Sequence, residues 1–242
     1  MDLSSLPVVV LVVLLTGISK SGFAGALGVF SVPLLMLALP PKQAIGFMLP
    51  LLLLADFFAV KSHWRQWDWG LLKTLLPGAL LGVSLGSLLL GLLPTEILSK
   101  AVGLLALLFA LRYLLWRSAD GAWLSTKAAA WGMSAMSGLS STLIHAGGPP
   151  LMMLLIARQL APALMVATST VFFASLNLAK LVPFVGLGLL DSNLLLWAAA
   201  LSPVAWLGNR WGIYLRERLP VKTFLLIMHS LLLVLGLKLM IS

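Results

Sequence analysis

Ser140, Ser141, Thr142, His145, Gly147 and Gly148 fall within nine residues of a stretch that carries no other charge. Hydroxyls both donate and accept hydrogen bonds, and glycines let a ligand come close to backbone N–H groups. An imidazole can change charge near neutral pH. Together these groups can hold a small, hard anion without a metal. They do so best beside a helix N-terminus, where free N–H groups and the helix dipole favour negative charge. Pro149 and Pro150 follow at once, so residues 138–150 are expected to break rather than run as one clean helix. The same small residues would also permit close helix packing. The hydroxyls beside an ionisable group tip the balance toward a site, because ionisable groups inside a membrane are costly and default to function.

A weaker version of the pattern lies near the N-terminus. Glycines at 17, 22, 25 and 28 precede Ser31 and Pro33, and Gly22, Gly25 and Ser31 are its candidate ligands. Past the second break, Thr168, Ser169, Thr170, Ser175 and Asn177 make one helix unusually polar, and Thr168, Ser169 and Asn177 are expected to face the site. Asp56 occupies the place equivalent to Asn177 and joins His145 as a candidate proton carrier, although Lys61 is only five residues on and Asp56 could snorkel to the interface. Lys180, one turn after Asn177, reads as an interface lysine snorkelling to the outer side in preference to one attracting the anion at the outer mouth, and His63 and His229 as structural or solvated. Ser141 and His145, four apart, could meet as a hydrolytic dyad, but the local string Gly-Leu-Ser-Ser lacks a nucleophile elbow. No catalytic residue, metal or cofactor is expected. Cysteine is absent, which removes disulfides, thiolate chemistry and Cys-held metals.

The elements that must position these groups are membrane helices. Hydrophobic residues make up 61% of the chain and charged ones 10%, more apolar surface than a soluble fold of 242 residues could hide. Apolar stretches fall at 3–19, 22–39, 44–60, 70–92 and 97–116, then at 128–144, 148–160, 163–183, 193–214 and 222–241. They have the long runs of spanning helices, not the alternation of a β-barrel. The first follows Asp2 with no basic region or cleavage site, so it reads as a span and not a signal peptide. The net charge of +9 is explained by basic cytoplasmic loops, so nucleic acid is not an expected partner.

The chain is also written twice. Pro77, Gly82, Gly86 and Pro94 recur as Pro203, Gly208, Gly212 and Pro220, each 126 positions later. Gly46 and Asp56 match Ala167 and Asn177 at an offset of 121, and Gly22 and Pro33 match Gly138 and Pro149 at 116. Duplicated apolar halves with Gly/Pro interruptions at corresponding places point to a transporter and to its binding site. Basic residues accumulate after the first ordinary helix of one half (Lys61, Arg65) and at a non-equivalent junction of the other (Arg210, Arg216, Arg218, Lys222). Equivalent loops then lie on opposite sides, so the halves are inverted, with both termini outside the cytoplasm. The expected architecture is an all-α integral membrane protein of two inverted-topology repeats, 1–118 and 127–242, joined by a cytoplasmic linker at 119–126. Each repeat is a discontinuous hairpin segment plus three transmembrane helices, about eight spans in total.

Gly22-Phe-Ala-Gly25, Val32-Pro33, Ala44-Ile-Gly46, Trp67-Asp68-Trp69, Pro77-Gly78-Ala-Leu-Leu-Gly82 and His145-Ala-Gly-Gly-Pro-Pro150 occur in this order, with second-half echoes. The ordered set resembles the TauE/SafE family of membrane exporters for sulfite and organosulfonates, over nearly the whole chain. Gly28-Val-Phe-Ser31 departs from it by replacing a fuller glycine run. The resemblance implies export of sulfite or an organosulfonate across the plasma membrane, coupled to protons. A passive anion channel or an uptake transporter shares the same architecture. The expected partners are therefore a small sulfur-containing anion, protons and the lipid bilayer.

Overall fold

The computed structural model describes residues 5–22, 28–115, 122–190, 192–218 and 221–241. Among these, regular structure is entirely helical. Two short hairpins stand at corresponding places: α1 (Leu6–Gly22) with α2 (Gly28–Leu35), and α6 (Lys127–Ile144) with α7 (Gly148–Ala157). After the first come α3 (Pro41–Ser62), α4 (Trp69–Leu92) and α5 (Thr95–Leu115). After the second come α8 (Pro162–Gly186), α9 (Ser192–Ala200), α10 (Ser202–Arg218) and α11 (Val221–Ile241). Helices α3, α4, α5 and α8 are each long and apolar enough to cross a bilayer, which needs about 20 residues.

Sequence chemistry sets the helix ends. Asp68 caps α4, its Oδ1 accepting the Leu71 N–H at 2.9 Å. Thr126 caps α6 by accepting from Ala129 N–H at 3.1 Å, while its own hydroxyl donates to Trp123 O at 2.7 Å. Pro162 opens α8, where its missing N–H costs nothing. Pro77 is absorbed inside α4, whereas its counterpart Pro203 follows a break between α9 and α10. Pro203 cannot donate to Ala199 O, and the Ser202 hydroxyl does so instead at 2.7 Å. The second of the three helices expected after the hairpin of the second half is thus two pieces, not one.

Faces are sorted for lipid, not water. In the middle of α4, between the buried leucines at 71, 72, 75 and 90, the buried side is Gly78, Ala79, Gly82, Val83, Gly86 and Ser87, and the leucines at 80, 81, 85 and 88 are exposed. Small residues inside and large apolar ones outside is the arrangement of a membrane helix.

The chain divides into two compact units. One comprises residues 52–91 and 118–187. In it α4 lies directly on α6: a Cβ on Gly82 would strike the Ala135 carbonyl, and one on Gly138 would strike that of Ala79. The other comprises residues 1–51, 92–117 and 188–242. There α10 lies on α1, and a Cβ on Gly208 would strike the Leu14 carbonyl and crowd Gly17. In this unit α11 packs on α5 through Gly236 and Gly103. Each unit therefore combines elements of both sequence halves.

Candidate functional site

In the unit formed by residues 52–91 and 118–187, α6 does not stop at Gly138 as the glycine pattern implied. It carries Ser140, Ser141 and Thr142 in its last turn and ends at Ile144. Only 145–147 separate it from α7. His145 forms the C-cap with φ 54° and ψ 27°, a left-handed conformation that favours glycine, and its N–H donates to Ser141 O at 3.1 Å. Ala146 N–H reaches Ser140 O at 3.3 Å. The polar side chains fasten this crossing: Ser137 donates to Gly147 O at 2.6 Å, and the Ser140 hydroxyl lies 2.8 Å from Met136 O and 3.1 Å from Ala146 O. Thr142 donates to Gly138 O at 2.8 Å. Ser140 and Thr142 are thus committed to backbone, whereas both had been expected as ligands.

The largest surprise is Lys180. Sequence placed it at an interface, but it is 0% exposed, in the middle of the inward face of α8 with Thr168, Phe172, Leu176, Asn177 and Phe184. Its ammonium donates to Ser141 O, Ser141 Oγ and His145 Nδ1, each at 3.1 Å. The physical reason is the open end of α6. Its last carbonyls form the negative pole of the helix dipole, and a cation is stabilised there. The i, i+3 and i+4 spacing of Thr168, Asn177 and Lys180 with the apolar positions of α8 was the signal that could have found it. A lysine's reach hid that signal, because a long stem lets the same residue sit at either depth.

A lysine ammonium can only donate, so its contact with His145 needs Nδ1 as an acceptor. A proton added at Nδ1 would have to break the Lys180 contact. Ser141 Oγ accepts from Lys180, and its own O–H has no acceptor among the described residues. Just beyond, the first turn of α7 contains Pro149 and Pro150, which have no N–H. Gly147 and Gly148 carry the remaining N–H groups at that end, and neither donates to an acceptor among the described residues. A Cβ on Gly147 would press on Ser137 and Phe173, but Gly148 faces open space. The arrangement therefore sets a buried cation, a free hydroxyl donor and an accessible helix N-terminus along one short crossing.

The expected ligands Thr168, Ser169 and Asn177 and the expected proton carrier Asp56 make contacts of their own. Asp56 is buried and accepts from Asn177 Nδ2 at 2.5 Å, so it does not snorkel. Thr168 is buried and accepts the Asp68 N–H at 3.0 Å, which ties α8 to the start of α4. Ser169 donates to Val166 O at 3.0 Å on its own helix. In the other unit, Ser31 is buried and pairs with Thr16 at 2.9 Å, while Thr16 donates to Val12 O. Gly22 ends α1, and Gly25 lies outside the described residues. His229 is structural: it is buried, stacked on Tyr113 with 3.9 Å between ring centroids, edge-on to Phe30, and joined to Leu225 O at 2.8 Å.

The model of the sulfite exporter TauE/SafE family matches this chain over residues 9–239. The chain belongs to that family. TauE/SafE membership makes it a multi-pass membrane protein of a transporter family for sulfur-containing anions. No curated protein matches the chain, and no solved structure does.

Proposed function

We propose that this TauE/SafE chain is a secondary transporter that exports sulfite or a small organosulfonate from the cytoplasm with proton coupling. The observation that carries the reading is the fully buried Lys180 ammonium at the end of α6, held by Ser141 and His145. A buried cation is costly unless something compensates it. A cation at a helix end, beside hydroxyl and N–H donors, suits a small oxyanion. The Ser141 hydroxyl and the N–H groups of Gly147 and Gly148 supply further donors. Ser140 and Thr142 shape the crossing. Asp56 with Asn177, and Thr168 with Ser169, support α8, which presents the lysine.

The Lys180–His145 contact supports the proton coupling, because Nδ1 cannot hold a proton and accept from Lys180 at once.

The wider reading is a chain of two inverted repeats, about eight spans, in the plasma membrane with both termini outside. The matched glycine contacts support the duplication. Gly82 meets Ala135 and Gly208 meets Leu14, which brings the hairpins into correspondence at an offset of 121 rather than 116. That value equals the offset of Asp56 and Asn177, so no insertion is needed between hairpin and next helix. In this reading Gly22, Gly25 and Ser31 belong to the second half-site.

The test is flux into proteoliposomes with an imposed pH gradient, comparing labelled sulfite, a two-carbon sulfonate and thiosulfate. Saturable, gradient-driven flux of sulfite or the sulfonate that collapses in Lys180→Met supports the proposal. Flux indifferent to the gradient would make the protein a passive anion pathway. Flux that survives the substitution would move the site elsewhere.

A further inference from the structure

An open recess of 320 Å³ lies in the same unit, away from Lys180, between the start of α4 and the turn after α7. It is lined by Asp68, Gly70, Leu71 and Thr74 on one side and by Arg158 and Leu160 on the other. Arg158 is poorly satisfied. Its Nη2 reaches Ser125 O and Thr126 O at a long 3.4 Å each, and its buried Nε has no partner. A guanidinium offers a fork of donors that matches an oxyanion. Across the recess, Asp68 uses one carboxylate oxygen to cap α4. Its second oxygen takes no hydrogen bond among the described residues, and the two charges form no ion pair there although they line one space. Trp64, Trp67 and Trp69 adjoin Asp68 in an edge-to-face row, with Trp64 and Trp69 exposed. Such a row marks the membrane–water interface.

We infer that this recess binds a zwitterion, an oxyanion seated on Arg158 and an ammonium on Asp68, and that its source is the headgroup of an ethanolamine phospholipid. A simple anion would meet Asp68 and a simple cation would meet Arg158, so neither fits both walls. Phosphate and ammonium on one headgroup give each wall a partner of opposite charge. The flanking tryptophans put the opening where headgroups lie. Choline carries the same charge but has no N–H to give Asp68.

Native mass spectrometry of the full chain, loaded with phosphatidylethanolamine, phosphatidylcholine or phosphatidylglycerol, tests this. The wild type should retain the ethanolamine lipid about tenfold better than either competitor, the size of one good polar contact. Asp68→Asn keeps the α4 cap, since asparagine caps as well as aspartate, and should abolish the preference over phosphatidylglycerol. Arg158→Gln should lower retention of all three. Displacement by soluble phosphoethanolamine at equal concentration would support the chemistry and assign the source to a soluble ligand. Equal retention of the three lipids by the wild type would overturn the inference, as would an unchanged preference in Asp68→Asn protein that unfolds at the wild-type temperature.

Discussion

Lys180→Met separates a structural lysine from one that serves transport, because the two roles predict opposite outcomes. Methionine nearly matches the length of the lysine stem, so no large cavity opens, and volume-conserving swaps cost less than about 1.5 kcal/mol. The ammonium's contacts with Ser141 and His145 are lost: Ser141 O keeps the His145 N–H, but Ser141 Oγ and His145 Nδ1 lose the Lys180 donor. Two orphaned groups cost about 1–3 kcal/mol each. Against that, the desolvation of a buried charge is relieved, and this is also several kcal/mol. The terms largely cancel, leaving a net change within about 2 kcal/mol, or a shift of about 4–8 °C in the unfolding temperature for a chain of this size. Transport has no such cancellation. Removing one partner of a desolvated charge pair costs about 2–5 kcal/mol, which is about 30-fold to several-thousand-fold in apparent affinity. Intrinsic tryptophan fluorescence during heating reads the first quantity, and concentration-dependent sulfite flux reads the second. Flux within about threefold of wild type in a protein that remains folded would refute the anion role of Lys180, since a tenfold change corresponds to only 1.4 kcal/mol.

His145 sits at φ 54°, so His145→Gly should unfold at a higher temperature than His145→Ala, by about 1 kcal/mol, while both lose the dependence of flux on the pH gradient; thermal unfolding and gradient-driven flux check the two parts. Gly138→Ala drives a methyl into the Ala79 backbone and should destabilise by about 1–3 kcal/mol, whereas Gly148→Ala meets nothing, should leave stability unchanged and should weaken flux. Equal destabilisation of the two would refute the packing account. Asp56→Ala leaves the Asn177 amide without its acceptor and should cost about 1–3 kcal/mol, with Asp56→Asn closer to wild type because it retains an oxygen acceptor; chemical unfolding in detergent checks the order.

By itself the sequence determined that the chain lives in a membrane, that a helix break falls between Gly138 and Pro150, and that one glycine pattern is written twice. Each follows from local chemistry: apolar run length, prolines without N–H groups, and glycines that admit a neighbouring backbone. It could not say what those glycines admit. Gly82 and Gly138 are far apart in the chain, and only the packed helices show each set against the backbone beside the other. Nor could it place the hydroxyls. Ser140 and Thr142 look free on paper, but a helix that continues past Gly138 turns them onto its own carbonyls. Lys180 shows the limit most clearly. Its position on α8 is periodic and legible, but whether its ammonium reaches outward to water or inward depends on what the neighbouring helix offers. The exposed carbonyl end of α6, closed by His145, offers a negative pole beside it, and that pole exists only once the two helices have packed.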